Sequence, residues 1–217
     1  MVSNKLRGNI MGVTQQNRKL DPRDRERPSY VDDRGRAMSN PGLDGDVYML
    51  FVAPQAAGAN KVHLDLFNAE TDKDVEIVSV QPIMSGAVAV VGTLAVDLYL
   101  TRTTAVGTGG TAATAESTSL ANPSISKLDP ASATLPTGVT ARAAPGGGAT
   151  AGAVIAFESM FSEETSVSTY FRNNMLKDNF LGTRLIVPPS SGIRVVQGAV
   201  ASVGNVGFLV LFSVIRK

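Results

Sequence analysis

Residues 193–215 read IRVVQGAVASVGNVGFLVLFSVI, and this stretch decides what kind of fold the chain can adopt. Residues 195–215 carry no Asp, Glu, Lys or Arg, so a membrane-spanning helix is the first possibility. Polar residues and three glycines interrupt the run, however, and its many Val residues suit strands better than a helix. We therefore predict two buried strands joined by a turn near Gly204. The second strand is apolar on both faces, which indicates cover on both faces.

Alternation of apolar and polar side chains recurs along much of the chain. In GAVAVVGTLAVDLYLT, residues 86–101, Val96, Leu98 and Leu100 share one parity while Asp97 and Tyr99 share the other. A period of two residues is typical of a strand. A short helix is predicted at 170–180. The predicted strands span 46–53, 61–67, 75–81, 86–101, 153–161, 183–188, 193–203 and 205–215. Because strands do not alternate with helices, the pattern predicts an all-β antiparallel sandwich or jelly roll.

The first 46 residues lack this alternation and predict an extended N-terminal arm, followed by a β-domain at 47–217. Residues 1–27 hold seven basic and three acidic side chains, a net charge of +4 in a chain whose total is +1. Such an arm buries too little apolar surface to offset its own ordering entropy, so we expect it to dock on neighbouring subunits. The residues expected at that interface are Arg18, Lys19, Arg23, Arg25, Arg27, Tyr30, Arg34 and Arg36.

A second unusual segment is the insertion at 103–152, where 12 of the 50 residues are Ala, 10 are Thr and 8 are Gly. It shows no large apolar face, so we expect a projecting excursion that leaves one strand, returns into the next and has no core of its own. Its glycine-rich parts at 107–111 and 146–148 lack the G-x-G-x-x-G and G-K-[ST] patterns of phosphate-binding loops and predict turns.

Residues with catalytic chemistry are few. The chain has one His and no Cys, and no G-x-S-x-G motif occurs. Strand parity places His63 with Asp65, opposite Leu64 and Leu66, so we expect a solvent-facing or interface histidine. Paired carboxylates such as Asp72 and Asp74 lack the EF-hand spacing and are typical of turns. We therefore predict no catalytic residues, no metal and no cofactor. The near-zero net charge also disfavours a nucleic-acid binder.

Four stretches resemble structural proteins of tailed-bacteriophage virions. They are LFNAETDKDVEIVSV at 66–80, LYLTRTTAVGTGGTAATA at 98–115, LPTGVTARAAPGGGATAGA at 135–153, and the C-terminal GIRVVQGAVASVGNVGFLVLFSVIRK at 192–217. The resemblance implies a capsid decoration (cement) protein or a related head component, which has no catalytic residues to transfer. The arm lies outside the matching stretches.

These observations together predict a non-enzymatic virion protein that binds the capsid surface and stabilises the lattice. The expected partners are the major capsid protein and further copies of this chain, for example in a trimer. Neither a membrane nor a small-molecule substrate is expected. The first alternative is the jelly-roll coat protein of a small virus, whose basic arm would contact the genome. The second is a neck, tail or fibre component that binds a receptor or glycan, which the absence of Trp disfavours.

Overall fold

The structure is a computed structural model of the 217-residue chain. It describes residues 30–31, 37–38, 46–85, 94–115, 122–130, 132–147, 151–162, 174–176, 185–201 and 204–216. The chain divides into two units, Met1–Gly42 and Leu43–Lys217.

The described residues form fourteen strands and no helix. Each predicted strand is found at least in part, and most bounds differ by a few residues. The strand predicted at 193–203 ends at Gln197, and residues 198–201 contain a bend instead, so the second half of that prediction is wrong where it is described. The first half of 86–101 lies outside the described residues. The strands are β1 (Tyr30–Val31), β2 (Ala37–Met38), β3 (Asp46–Ala56), β4 (Val62–Asn68), β5 (Lys73–Ser85), β6 (Leu94–Thr103), β7 (Thr111–Ala112), β8 (Thr114–Ala115), β9 (Ser124–Lys127), β10 (Val139–Ala143), β11 (Ala151–Ser162), β12 (Leu185–Val187), β13 (Ser191–Gln197) and β14 (Asn205–Arg216).

In the second unit the strands form two six-stranded sheets. Sheet I has the order β11-β6-β13-β4-β10-β7, and sheet II has the order β12-β5-β14-β3-β9-β8. All neighbours are antiparallel except β8 and β9, which are parallel. In the first unit β1 and β2 form an antiparallel pair. The predicted all-β, largely antiparallel fold class is therefore confirmed.

The two six-stranded sheets share one hydrophobic core. Sheet II contributes alternate residues such as Leu50, Phe208 and Phe212, and sheet I contributes Leu64 and Val195. The stretch 193–215 contributes to two strands, as predicted, although β13 ends at Gln197 and β14 begins at Asn205. Across the described ranges no helix is long and apolar enough to cross a membrane. One face of β14 is fully buried, while Leu and Ile residues of its other face are half-buried, so cover on that face is partial.

Four strands come from the insertion 103–152, and the prediction of a projecting segment without a core is wrong. Strand β9 pairs with β3 and β10 pairs with β4, so the insertion widens both sheets. Its residues Ile125, Leu135 and Val139 are buried in the core. The edges of β3 and β4 present backbone N–H and C=O groups that need hydrogen-bond partners. Because this pairing uses only the backbone, segments of small residues can form strands there. The insertion leaves β6 and returns into β11, as predicted. The structure adds that these two strands are antiparallel neighbours.

The helix predicted at 170–180 is described only at residues 174–176, which form a turn. Met175 N donates to Val80 O at 2.9 Å, and Val80 N donates to Asn174 Oδ1 at 3.1 Å, so this turn is tied to β5. Met175 and Leu176 are both buried, in agreement with the apolar side assigned to them. The rest of the predicted helix lies outside the described residues.

Candidate functional site

The outer face of sheet I holds a buried ion pair between Asp65 on β4 and Arg194 on β13. The register places the two residues opposite each other, and each has an apolar residue on either side of it in its strand. Arg194 Nε donates to Asp65 Oδ2 at 2.6 Å. Asp65 is 0% exposed and Arg194 is 3% exposed. Because Leu64 and Leu66 face the shared core, the alternation turns Asp65 to the opposite face of the sheet.

Loops of the insertion cover this ion pair. A Cβ placed on Gly107 would lie 2.9 Å from Arg194 Nη2 and 3.1 Å from Asp65 Oδ2, so only glycine allows this approach. A second glycine-rich loop lies beside the first, since Thr108 N donates to Gly147 O at 2.9 Å and Gly146 N donates to Thr108 O at 3.1 Å. The two glycine-rich segments predicted as separate turns therefore bind each other and bury the pair.

Burial governs the protonation of Asp65. It raises the pKa of this carboxyl above its ordinary value. The hydrogen bond and charge of Arg194, the N–H of Gly107 and the charge of Arg142 act in the opposite direction. Asp65 Oδ1 and Thr101 Oγ1, which lies on the strand next to Arg194, are buried and accept no hydrogen bond within the described ranges. The pair is thus a dehydrated polar cluster inside a covered sheet face.

A cavity of about 300 Å³ opens beside this cluster. Its lining consists of Asn60, Lys61, Val62, Ala144, Pro145, Gly146, Gly147 and Arg194. The site therefore lies where the start of β4, the end of β10 and the second glycine-rich loop meet. Two residues of the lining, Lys61 and Arg194, are basic, and none is acidic.

His63 lies in the core between the sheets, and the expectation of a solvent-facing or interface histidine is wrong. It is 0% exposed, and its ring centroid lies 6.0 Å from that of Phe208 in sheet II. Val195 pairs with Leu64 whereas Val196 pairs with Val62, so His63 is the extra residue of a bulge. A bulge reverses the facing of the side chains beyond it, which strand parity cannot anticipate.

The His63 imidazole lies within hydrogen-bond distance of one side chain among the described residues, that of Gln197. Its Nε2 lies 3.1 Å from Gln197 Oε1, and its Nδ1 is buried without a hydrogen-bond partner in the described part of the chain. Burial lowers the pKa of His63, the hydrogen bond with Gln197 raises it, and the charge of Lys61 lowers it further. The ring therefore serves as a neutral core side chain.

An apolar surface lies on β11, which is an edge strand of sheet I. Val154 is 58% exposed and Phe157 is 47% exposed. Phe157 packs against Tyr99 of β6 with ring centroids 5.0 Å apart. Strand β11 pairs only with β6 among the described strands. Exposed apolar side chains on an edge strand are typical of a protein interface.

The predicted arm interface cannot be located, because seven of its eight residues lie outside the described ranges. Tyr30 begins β1, where Tyr30 is the partner of Met38. The seven are Arg18, Lys19, Arg23, Arg25, Arg27, Arg34 and Arg36. Within the described residues no group of three or more His, Asp or Glu side chains is placed to hold a metal ion.

The sequence contained a signal for the ion pair that parity analysis passed over. Asp65 and Arg194 each stand alone between apolar residues in a predicted strand, and opposite charges at such positions favour cross-strand pairing. Comparison of the chain with protein-family models, with curated proteins and with solved structures finds no match.

Proposed function

We propose that this chain is a non-enzymatic structural subunit of a tailed-phage virion. In this proposal it is a capsid decoration protein built on a jelly-roll sandwich. It would bind the outer capsid surface through its N-terminal arm and its β-domain, with the major capsid protein and further copies of itself as partners.

The observation that carries the proposal is the order of the eight strands that remain in the second unit when the four strands of the insertion, β7 to β10, are set aside. Chain order runs β3, β4, β5, β6, β11, β12, β13, β14, and the pairs β3–β14, β4–β13, β5–β12 and β6–β11 are all hydrogen-bonded neighbours. First therefore pairs with last, second with seventh, third with sixth, and fourth with fifth. Successive strands also alternate between the two sheets, except at β6 and β11. Folding one long hairpin over itself produces this pairing, which is typical of the jelly roll of many viral shell proteins and supports the proposal.

Two further features favour attachment to a lattice. The core side chains among the described residues run from Tyr48 to Val214, which supports a β-domain that builds its core downstream of the predicted arm. The arm then supplies charge for contacts with neighbouring subunits. The exposed Val154 and Phe157 on the edge strand add an apolar contact surface. Several weak contacts on one subunit strengthen one another once the first has formed.

Immunogold labelling of virions in negative stain tests the location. We expect many copies distributed over the shell. A few copies at a single vertex would instead identify a neck or tail component, and virions without any label would refute a structural role.

Deletion of residues 1–36 tests the arm. We expect the truncated chain to keep the far-UV circular dichroism of the β-domain but to lose co-sedimentation with capsids. A variant in which residues 18–36 are shuffled keeps length and charge, so it separates a specific register from non-specific charge attraction. Undiminished binding of the truncated chain would contradict attachment through the arm.

A second candidate is the coat protein of a small virus, which the same strand order favours. Such a protein would assemble into closed shells when expressed alone and would package nucleic acid with its arm. The net charge of only +4 in residues 1–27 argues against genome packaging. Shells that sediment with an absorbance ratio typical of nucleoprotein would favour this candidate over the decoration protein.

A further inference from the structure

We propose that the cavity beside Arg194 binds a small oxyanion, a phosphate or a carboxylate group, through Lys61 and Arg194. The site is built by the start of β4, the middle of β13 and the glycine-rich loop at 144–147. It is independent of the virion role, because it depends on contacts within one copy of the β-domain.

The charge of the lining favours an anion. Lys61 and Arg194 line the cavity, and within the described ranges Lys61 forms no ion pair; its ammonium donates to the backbone carbonyl of Ala56. Burial lowers the pKa of Lys61, as expected for a cation that is partly dehydrated without a nearby counter-charge. An oxyanion would supply that counter-charge.

The geometry of Arg194 favours a ligand that presents the oxygens of a planar carboxylate or a tetrahedral phosphate. The Arg194 side chain is 4% exposed and its Nε donates to Asp65 Oδ2 at 2.6 Å, so the plane of the guanidinium is fixed before a ligand arrives. A planar fork of N–H donors with a fixed orientation matches carboxylate and phosphate oxygens, and a prepositioned donor loses little entropy on binding.

The size of the cavity favours a small ligand. A volume of about 300 Å³ is at the lower end of the range of small-molecule pockets. Asn60 adds an amide to the rim, and Val62 and Pro145 provide apolar walls. The ligand class is therefore a small phosphate or carboxylate compound.

Isothermal titration of the full chain with sodium phosphate, and separately with sodium acetate, tests this proposal. Both titrations are run at constant ionic strength against a sodium chloride background. We expect saturable binding of at least one anion. Binding of phosphate alone would assign a phosphate site, and binding of acetate alone would assign a carboxylate site.

Two variants change the site in different ways. Lys61→Met removes one of the two charges, and we expect affinity to fall by about tenfold or more. Gly146→Leu keeps both charges but blocks the mouth, since a Cβ on Gly146 meets no atom within 4 Å and would extend into open space. We expect this variant to lose binding as well.

The matched control is Lys73→Met, which removes the same charge from a lysine that pairs with Glu70 at 3.2 Å and does not line the cavity. Its affinity should stay within about twofold of the parent chain, because Lys73 is not part of the lining and solvent screens its charge. The proposal is refuted if neither anion binds saturably. It is equally refuted if the Lys61 and Lys73 variants bind alike and the Gly146 variant binds like the parent chain.

Discussion

Replacing Asp65 by Leu isolates the energetics of the covered sheet face. Leu has the same number of side-chain heavy atoms as Asp, so the shape of the site changes little while the charge disappears. The Arg194 side chain, 4% exposed, would then remain buried without the carboxylate that accepts from its Nε at 2.6 Å.

The expected cost is large because an uncompensated charge is left in a dehydrated place. Removing one partner of a buried ion pair typically costs about 3–5 kcal/mol. For a chain of this size each kcal/mol lowers the melting temperature by about 2–4 °C, so we expect a fall of about 6–20 °C. Since whole domains are stable by only about 5–15 kcal/mol, this single change removes a large share of the total.

The double variant Asp65→Leu with Arg194→Met makes the reasoning refutable. Both charges are then absent, and apolar replacement of a complete buried pair is often close to neutral. We therefore expect the double variant to be more stable than the Asp65 single variant.

Urea unfolding followed by far-UV circular dichroism measures these free energies, because the chain has no Trp for fluorescence. Lys73→Met serves as the control, since the partly exposed pair of Lys73 and Glu70 should contribute less than about 1 kcal/mol. Arg194→Met alone is measured in the same way. If the double variant loses the sum of what Asp65→Leu and Arg194→Met lose separately, the two charges do not stabilise each other and the argument fails.

Three further predictions concern the core and the loops. Phe212→Ala should cost about 3–5 kcal/mol in urea unfolding because the ring is 0% exposed, and a loss below about 1 kcal/mol would remove β14 from the core. His63 has a folded-state pKa below its ordinary 6.5, so between pH 6.5 and that lower value only the unfolded chain binds the proton. Stability should therefore fall as the pH drops through this window, and the same urea titrations on His63→Gln should show a weaker decline. Gly110→Ala should lower the free energy of unfolding by about 1–3 kcal/mol, because Gly110 has a φ of 63° and an added Cβ would lie 2.2 Å from Ala143 O. Gly146→Ala should change it by no more than about 0.5 kcal/mol, because a Cβ there meets no atom within 4 Å. Equal melting temperatures for the two variants would contradict the described loop.

The strands were predictable because their signal is local. A strand with one face in the core alternates every two residues, and Val96, Leu98 and Leu100 show this pattern without any knowledge of their neighbours. The same is true of the C-terminal stretch, where Gly, Asn and abundant Val distinguished strands from a membrane helix. The fold class therefore followed from residue types and spacing within short windows.

The insertion was not predictable in the same way, because its strands owe their place to partners far away in the chain. Segments of Ala, Thr and Gly have little hydrophobic periodicity, and β9 and β10 are strands because the edges of β3 and β4 offer backbone partners. The glycine-rich loops gave only a turn signal, since nothing local indicates that Gly107 must lie against Arg194.

By itself the sequence determined that the described part of the chain is all-β, that residues 193–215 supply two strands, and that the insertion leaves one strand and returns into the next. Only the tertiary structure decided which charges meet and which side chains turn inward. Asp65 and Arg194 are 129 residues apart in the sequence and become partners through strand register. His63 is itself the extra residue of a bulge, and this is why its side chain faces the core. Register and bulges are set by the packing of the whole sheet, so no local pattern carries them.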